Sequence, residues 1–362
     1  MIITKVKLLL LCALVFLVSC TVVMPCKGQS LRVNRQETPI EKFPQFIKVN
    51  FVKVSAYTFY EPLEMHIKDD FIICQNTDTP ENGYWFNILN KQGKVVDRKF
   101  KKGKGPNEVL KAGSSGFDNN RFWHFDRGLR KFWVVNSVLQ DTPNPKSNSI
   151  DLMVGRARYY NDSTIITRGG TGTSYKYDLY DFKNKKIIGG YGDLSTLSKL
   201  DVFDNGWNPQ MEKEYFEGDF KFKPDKTKFV VGYYYFDVIE IYHAKGDLIK
   251  AIRGPLRLSP EFRLFATKEY AGFDKHPQTI VAYTYIQCTD KYIYAAFSGN
   301  QLHGGSPFHP KKKYVFNWNG DSIAILQLNH PVMSFVIDEK DNTIYSVSDS
   351  TGDFIKATFS IE

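Results

Sequence analysis

Two histidines in a glycine-rich segment are the first residues whose types and spacing suggest ligand chemistry. The segment NQLHGGSPFHPKKK, residues 300–313, carries His303 and His309 between two strand-like runs. Loops that project from a rigid scaffold often hold binding residues, so we predict ligand contacts here. The seven histidines of the chain show no HExxH motif or other close metal-ligand spacing, and we therefore expect no metal ion and no cofactor. A solvent-exposed loop without a ligand is the alternative.

Two further segments offer side chains for ligand contact. RGGTGTSYKYD, residues 168–178, places Arg168 and Tyr175 beside flexible glycines, although a mobile solvent loop would have the same composition. NGWNPQ, residues 205–210, places Trp207 in a loop, where its indole ring could stack on a sugar or cover the core. We predict these three side chains as ligand contacts, together with the two histidines.

Catalytic signatures are absent from the sequence. It contains no GxSxG nucleophile elbow, no sialidase Asp-box and no pair of carboxylates at a spacing typical of a glycosidase. The segment GKGPNE, residues 103–108, lacks the Lys-Ser/Thr end of a phosphate-binding loop and the third glycine of a dinucleotide-binding loop. We predict instead a tight turn shaped by Gly103, Gly105 and Pro106, with Glu108 accepting hydrogen bonds from backbone amides. Catalytic residues are left unassigned.

The first 20 residues have the layout of a bacterial export signal. Two lysines precede about a dozen apolar residues, and this run is too short for a comfortable membrane-spanning helix, which needs about 20 residues. Leu17-Val18-Ser19-Cys20 resembles the lipobox, in which a peptidase cuts before the cysteine and the thiol carries diacylglycerol. We predict residues 1–19 as a lipoprotein signal peptide and Cys20 as the lipid attachment site. The alternative is ordinary cleavage near CKGQS, residues 26–30, which would leave a soluble protein.

A lipid anchor implies a location in the cell envelope. Acyl chains on Cys20 would hold the protein at the outer membrane. In bacteria that export lipoproteins to the cell surface, an acidic cluster follows the lipidated cysteine. The residues after Cys20 lack such a cluster, so we expect the protein on the periplasmic face of the outer membrane. Three Asp-Ser-Thr/Ile triplets also resemble an O-glycosylation sequon of extracytoplasmic proteins of Bacteroidota. Their candidate acceptors are Ser163, Ser322 and Ser350.

Composition narrows the class of protein and of partner. The formal net charge is +9, but the lysines fall in small scattered clusters that are typical of solvated loops, so we expect no nucleic-acid partner. Aromatic residues make up 15% of the chain, which favours β-sheet. Cys74 and Cys288 lie in strand-like runs and are predicted as buried thiols.

A strand-turn-strand unit recurs along the chain and predicts an all-β fold. Four units are clear and two are less complete; they occupy residues 71–100, 177–192, 237–254 and 314–328, then 121–136 and 342–361. Six units of four strands predict a six-bladed β-propeller of four-stranded antiparallel blades over residues 45–362, with 20–44 as a tether. Two β-sandwich domains are the alternative.

Two segments lie outside the repeated units, at residues 46–57 and 259–273. The strand-like run at 46–57 should join the last blade and close the ring, because an open sheet edge invites aggregation. Residues 259–273, SPEFRLFATKEYAGF, are predicted to hold a short helix between strands.

Two motifs carry a resemblance to a known family. KKGKGPNEVL, residues 101–110, follows a GKVV hairpin, and the stretch from DKYIYAAFSG at 290 to IYSVS at 348 has a W-x-G hairpin and an aspartate turn in a matching order. Residues 45–362 thus resemble the six-bladed, TolB-like propeller lipoproteins of Bacteroidota. The resemblance implies the fold, but it implies no activity, because most members have none assigned and one fold hosts many functions.

The sequence therefore supports two functional hypotheses. The leading one is a non-enzymatic binding or scaffold protein, monomeric and anchored to the membrane, whose partner is a peptide, a glycan or an envelope protein. The second is a propeller hydrolase or lactonase with a metal ion or an acid pair at the propeller axis. Convergence of ligating side chains from three or four blades would favour the second hypothesis.

Overall fold

The computed structural model describes most of the chain beyond residue 35. The described residues are 36–40, 42–139, 147–169, 172–194, 213–214, 216–258, 262–266, 271–276, 278–340 and 342–362. The predicted signal segment, Cys20 and Trp207 lie outside them. Within these ranges no helix has the length and apolar character needed to cross a membrane.

Six antiparallel sheets form a ring of blades. Blade 1 contains β4 (Pro62–Lys68), β5 (Phe71–Asn76), β6 (Tyr84–Asn90) and β7 (Val95–Lys101); blade 2 contains β8 (Ala112–Asp118), β9 (Arg121–Asp126), β10 (Lys131–Val135) and β11 (Ser147–Ser149); blade 3 contains β12 (Arg156–Tyr159), β13 (Thr164–Arg168), β14 (Tyr175–Asp181) and β15 (Lys186–Asp193). Blade 4 contains β16 (Gly218–Phe222), β17 (Lys228–Tyr233), β18 (Val238–His243) and β19 (Leu248–Arg253); blade 5 contains β22 (Tyr283–Cys288), β23 (Tyr292–Phe297), β24 (Lys312–Asn317) and β25 (Ser322–Leu328); blade 6 contains β26 (Phe335–Asp338), β27 (Thr343–Val347) and β28 (Asp353–Thr358), with β3 (Val52–Ala56). The predicted six-bladed β-propeller is confirmed.

The N-terminal segment closes the ring. β3 pairs antiparallel with β28 as the outer strand of blade 6, so the predicted closure is confirmed for the second half of the run at 46–57. The first half, β2 (Gln45–Val49), lies elsewhere: it pairs parallel with β25 as a fifth strand of blade 5. β1 (Thr38–Pro39) pairs parallel with β19 as a fifth strand of blade 4. The segment thus covers the outer edges of three successive blades, which protects strand edges that would otherwise be open.

The segment predicted as a short helix is a hairpin. β20 (Phe262–Ala266) and β21 (Ala271–Lys275) pair antiparallel within residues 259–273 and just beyond, so the helix prediction was wrong. Helix propensity is a weak guide that tertiary context overrides, and the aromatic residues of this segment favour strands.

The hydrophobic core lies between blades. Each of six buried clusters combines side chains of two neighbouring blades; one cluster, for example, packs Tyr294 of blade 5 against Phe335 and Ile344 of blade 6. A single blade cannot bury both of its faces, so the ring is needed for each blade to be stable.

The first strand of each blade lies nearest the central axis. Around the ring, β4 contacts β8, β8 contacts β12, β16 contacts β22, β22 contacts β26 and β26 contacts β4. β12 and β16 are joined by a hydrogen bond from Arg158 Nε to the carbonyl of Phe220. The six inner strands run in the same direction along the axis, so they begin at one opening and end at the other. We call the opening where they begin, near Pro62 and Tyr283, the upper mouth. The opening where they end, near Lys68 and Cys288, is the lower mouth.

Candidate functional site

The axis of the propeller is lined by ionisable side chains. Three inner strands each place two of them at alternate positions: Glu64 and His66 on β4, Arg156 and Arg158 on β12, and Asp219 and Lys221 on β16. Residues two apart on a strand point to the same face, here toward the axis. Strand alternation therefore builds a polar channel inside a molecule whose core is apolar.

Arg158 joins three blades at the axis. Its side chain is 2% exposed. Nη1 donates to Glu64 Oε2 at 2.7 Å, and Nη2 donates to Asp219 Oδ1 at 3.2 Å. Arg156 donates to the same Asp219 oxygen at 2.8 Å. Burial raises the pKa of Glu64, but the attraction of Arg158 and Lys221 outweighs it and holds the pKa below its ordinary value. Both carboxylates thus accept hydrogen bonds from arginine.

Lys221 lies beside this network without a carboxylate of its own. Its Nζ donates to Tyr285 OH at 2.9 Å and to Gln287 Oε1 at 3.1 Å, and it lies 4.1 Å from the centroid of the Tyr285 ring. No carboxylate oxygen of the described residues lies within 4 Å of this ammonium group. Burial lowers the pKa of Lys221, which reflects the cost of holding a charge away from water.

His66 adds no charge to the axis at neutral pH. Its Nε2 lies 2.8 Å from Ser115 Oγ on β8. Burial lowers the pKa of His66 well below its ordinary value, and the nearby Lys221 and Arg158 lower it further. The imidazole is therefore neutral, and the axial network holds three cations, two arginines and Lys221, against two carboxylates. The network therefore carries one positive charge in excess of its carboxylates.

A cavity of about 510 Å³ opens from this network at the lower mouth. All six blades contribute to its wall. Its cationic side chains are Lys68, Arg158, Lys221, Lys223, Lys226 and Lys340, against Asp290, Asp338 and Glu339. Two of the lysines are neutralised locally, because Lys223 contacts Asp225 and Lys226 contacts Asp118. Arg158 is paired with Glu64 and Asp219, and Asp338 is paired with Lys91. Lys221 therefore leaves one positive charge at the floor of the cavity, whereas Lys68 and Lys340 balance Asp290 and Glu339 at its rim.

A second polar cluster lies at the upper mouth. His309 Nε2 is 2.7 Å from Glu61 Oε2 and 3.4 Å from Asp349 Oδ1. Glu61 precedes β4, His309 lies between β23 and β24, and Asp349 lies between β27 and β28, so blades 1, 5 and 6 meet here. The hydrogen bond to Glu61 raises the pKa of His309 above its ordinary value.

Four of the five predicted ligand-contact residues are described, and they have different surroundings. His309 joins the upper cluster, whereas His303 is exposed in the same loop. Arg168 lies 3.5 Å from Glu217 Oε1 and is mostly buried. The ring of Tyr175 covers Gly190, where a Cβ would lie 2.3 Å from the tyrosine Cγ.

Sequence reasoning missed the axial residues. Their signal was present as ionisable side chains alternating within short strands, in EMHIK (64–68), RARY (156–159) and GDFKF (218–222). The sequence does not reveal that these three stretches meet.

Several smaller predictions can be placed on the structure. Glu108 Oε2 accepts a hydrogen bond from the Gly105 amide at 2.8 Å, and a Cβ on Gly103 would lie 1.9 Å from the same oxygen, so the predicted turn is confirmed. Cys74 is buried as predicted, whereas Cys288 is only partly buried because it lines the lower cavity.

The three predicted glycosylation acceptors lie at turns or strand ends. Ser163 lies in the β12–β13 turn, Ser322 begins β25, and Ser350 is exposed between β27 and β28. Ser350 is exposed, whereas Ser163 and Ser322 are partly buried. Their glycosylation stays a prediction.

Comparison with known proteins identifies the fold family. A family model described as TolB-like 6-blade propeller-like matches residues 42–340. No curated protein matches the sequence. A solved structure of a protein provisionally described as exported, from Bacteroides fragilis NCTC 9343, is 12% identical with a TM-score of 0.52 and covers 90% of this chain and 100% of its own. A member of the DUF4221 family from Bacteroides vulgatus ATCC 8482 is 11% identical with a TM-score of 0.49, covering 89% and 97%. At 12% identity the likeness to the Bacteroides fragilis structure shows the fold alone.

Proposed function

The chain belongs to the TolB-like family of six-bladed propellers, and on that premise we propose that it is a non-enzymatic binding module of the cell envelope that takes an acidic peptide segment into its lower-mouth cavity. The segment would belong to a peptide or to another envelope protein. Its carboxylate would lie against Lys221 at the floor of the cavity, with the rest of the segment along the polar rim.

The charge of the axial network supports this proposal more than any other observation. A charge buried without a partner is costly, and a buried ammonium group needs an anion to offset its lost hydration. The described residues around Lys221 supply a hydroxyl and an amide oxygen but no carboxylate within 4 Å. A ligand carboxylate would add the missing anion to the acceptors of Lys221. The cavity of about 510 Å³ has room for a small peptide segment.

The same network argues against an acid pair at the axis. A glycosidase-like acid needs a carboxyl group that stays protonated near neutral pH. Arg158 binds both Glu64 and Asp219, and it holds the pKa of Glu64 below its ordinary value. The axial carboxylates therefore serve as fixed counter-charges for arginine, and a binding role fits them better than the acid-pair form of the hydrolase or lactonase alternative.

The proposed location follows from the N-terminal segment. Cys20, in its lipobox-like context, would carry the lipid and hold the propeller at the outer membrane, on the periplasmic face. The segment between Cys20 and the first described strand would serve as the tether. The propeller itself would act as a monomer.

Binding of a labelled tetraglutamate peptide tests the proposal. We expect binding to the wild type, and K221M to weaken it by about ten- to a hundredfold, because a hydrogen bond to a charged group contributes about 1.5–3 kcal/mol. The melting temperature of K221M should not fall. Burial lowers the pKa of Lys221, so its protonated form opposes folding at neutral pH and its removal relieves that cost.

Two controls make this result specific. K48M removes an exposed lysine on β2, far from the cavity, and should leave the affinity unchanged. A tetralysine peptide should not bind. Equal tetraglutamate affinity of the wild type and K221M would refute the proposal, and Lys221-dependent binding of an oligogalacturonate alone would replace the peptide with an acidic glycan.

A further inference from the structure

Three metal-ligating side chains converge at the upper mouth from three separate loops. Glu61, His309 and Asp349 each offer one ligand atom, and these atoms all lie within 4.8 Å of one another. Glu61 and Asp349 both approach the same imidazole nitrogen, at 2.7 and 3.4 Å. One N–H group can donate a good hydrogen bond to only one of the two carboxylates, so Asp349, the more distant, has at most a weak hydrogen bond from the imidazole.

Two buried atoms of this cluster also lack partners. Glu61 Oε1 and His309 Nδ1 are shielded from solvent and form no hydrogen bond within the part of the chain described. Buried polar atoms without a partner are uncommon in native proteins, and a bound ion is one of their recognised explanations. This explanation applies to Glu61 Oε1, because both carboxylates approach His309 at Nε2 and an ion there would not contact Nδ1. The free oxygen of Glu61 would let that carboxylate bind an ion through both oxygens.

The loops that carry the three side chains are held by contacts that leave the ligand atoms free. Lys313 Nζ donates to the carbonyl of Pro310, next to His309, at 2.6 Å. The Asp349 amide donates to the carbonyl of Pro331 at 3.1 Å. The backbone positions of two of the three ligands are thus fixed without an ion, as a preorganised site requires.

We propose that Glu61, His309 and Asp349 bind one divalent transition-metal ion, with Zn²⁺ as the best match and Mn²⁺ as the next. One imidazole and two carboxylates form a mixed nitrogen and oxygen set, which suits these ions better than the all-oxygen sets preferred by Ca²⁺ and Mg²⁺. Three protein ligands leave a position for water, and Asp349, the most exposed of the three, provides the entry path.

The ion would fasten the ring where the chain closes it. Glu61 lies between β3, the outer strand of blade 6, and β4, the inner strand of blade 1. A metal bound also to His309 and Asp349 would therefore tie the closing strand to blades 5 and 6. Because the ligands come together only in the folded chain, binding would raise its stability by mass action. This site is separate from the lower cavity and does not depend on the function proposed for it.

Titration of the full, chelator-treated protein with ZnCl₂ tests the site. We expect one ion per chain by calorimetry, a rise in melting temperature, and no comparable effect of CaCl₂. E61Q, H309N and D349N should each weaken binding at least tenfold. H303N is the matched control, because His303 lies exposed in the same loop, and it should bind like the wild type.

A second measurement covers the case in which a variant fails to fold. Wild-type protein loaded with Co²⁺ in place of Zn²⁺ should show the absorption of a nitrogen and oxygen site without a thiolate charge-transfer band. A thiolate band would place the ion at a cysteine and overturn the proposal. Absence of stoichiometric Zn²⁺ or Mn²⁺ binding, wild-type affinity in H309N and E61Q, or an equal response to CaCl₂ would overturn it as well.

Discussion

The imidazole of His309 connects loops that are far apart in the sequence, and its protonation should be visible in the stability of the ring. The hydrogen bond to Glu61 raises the pKa of His309 above its ordinary value of 6.5. A histidine with a raised pKa in the folded state stabilises that state when it is protonated. Its contribution is complete below the unfolded pKa and is lost as the pH rises through the folded pKa.

We therefore expect wild-type stability to exceed that of H309Q by about 1 kcal/mol at pH 5.5, with the difference shrinking as the pH rises toward 9. Urea unfolding in the presence of a chelator measures this difference without interference from a metal ion. H303Q should differ little from the wild type at any pH. A difference between wild type and H309Q that stays constant across the range would contradict the protonated contact with Glu61.

At the scale of strands, the repeated hairpins were readable because each has its own local signal. Turns such as NKQGK at 90–94 and AKGD at 244–247 separate apolar runs, and both lie between paired strands. Residues 259–273 were wrongly predicted as a helix because no glycine marks a turn between the two strands. The hairpin β20–β21 forms in this segment without a glycine in its turn. Local pattern thus predicts strands where turn chemistry is explicit.

Ring closure by β3 gives a prediction at this scale. A chain that begins at residue 59 lacks β3 and leaves β28 as an open edge of a three-stranded blade, so it should aggregate on size-exclusion chromatography. A chain that begins at residue 51 keeps β3 but loses β1 and β2. It should elute as a monomer with a lowered melting temperature, since Val49 of β2 leaves the core. Identical elution of the two chains would show that β3 does not close the ring.

At the scale of the whole molecule, fold and site differ in how far sequence could predict them. The number of blades follows from counting local units, and the packing between blades follows from their apolar faces. The axial network depends on contacts between distant positions: Arg158 meets Glu64 across 94 positions and Asp219 across 61. Nothing local links these residues, because the ring alone determines which inner strands face one another.

The predicted attachment of the whole molecule to the envelope would depend on one side chain, Cys20. If Cys20 carries the lipid, C20A should move the protein from the membrane fraction to the soluble periplasmic fraction, because acyl chains supply the stable anchoring and the propeller only hangs from them. C26A, which changes the next cysteine along the chain, is the matched control and should stay with the membranes. Labelling of the wild type with a palmitate analogue, absent from C20A, would identify the modified thiol. Unchanged membrane partition of C20A would mean that the propeller is held by a partner instead of by its own lipid.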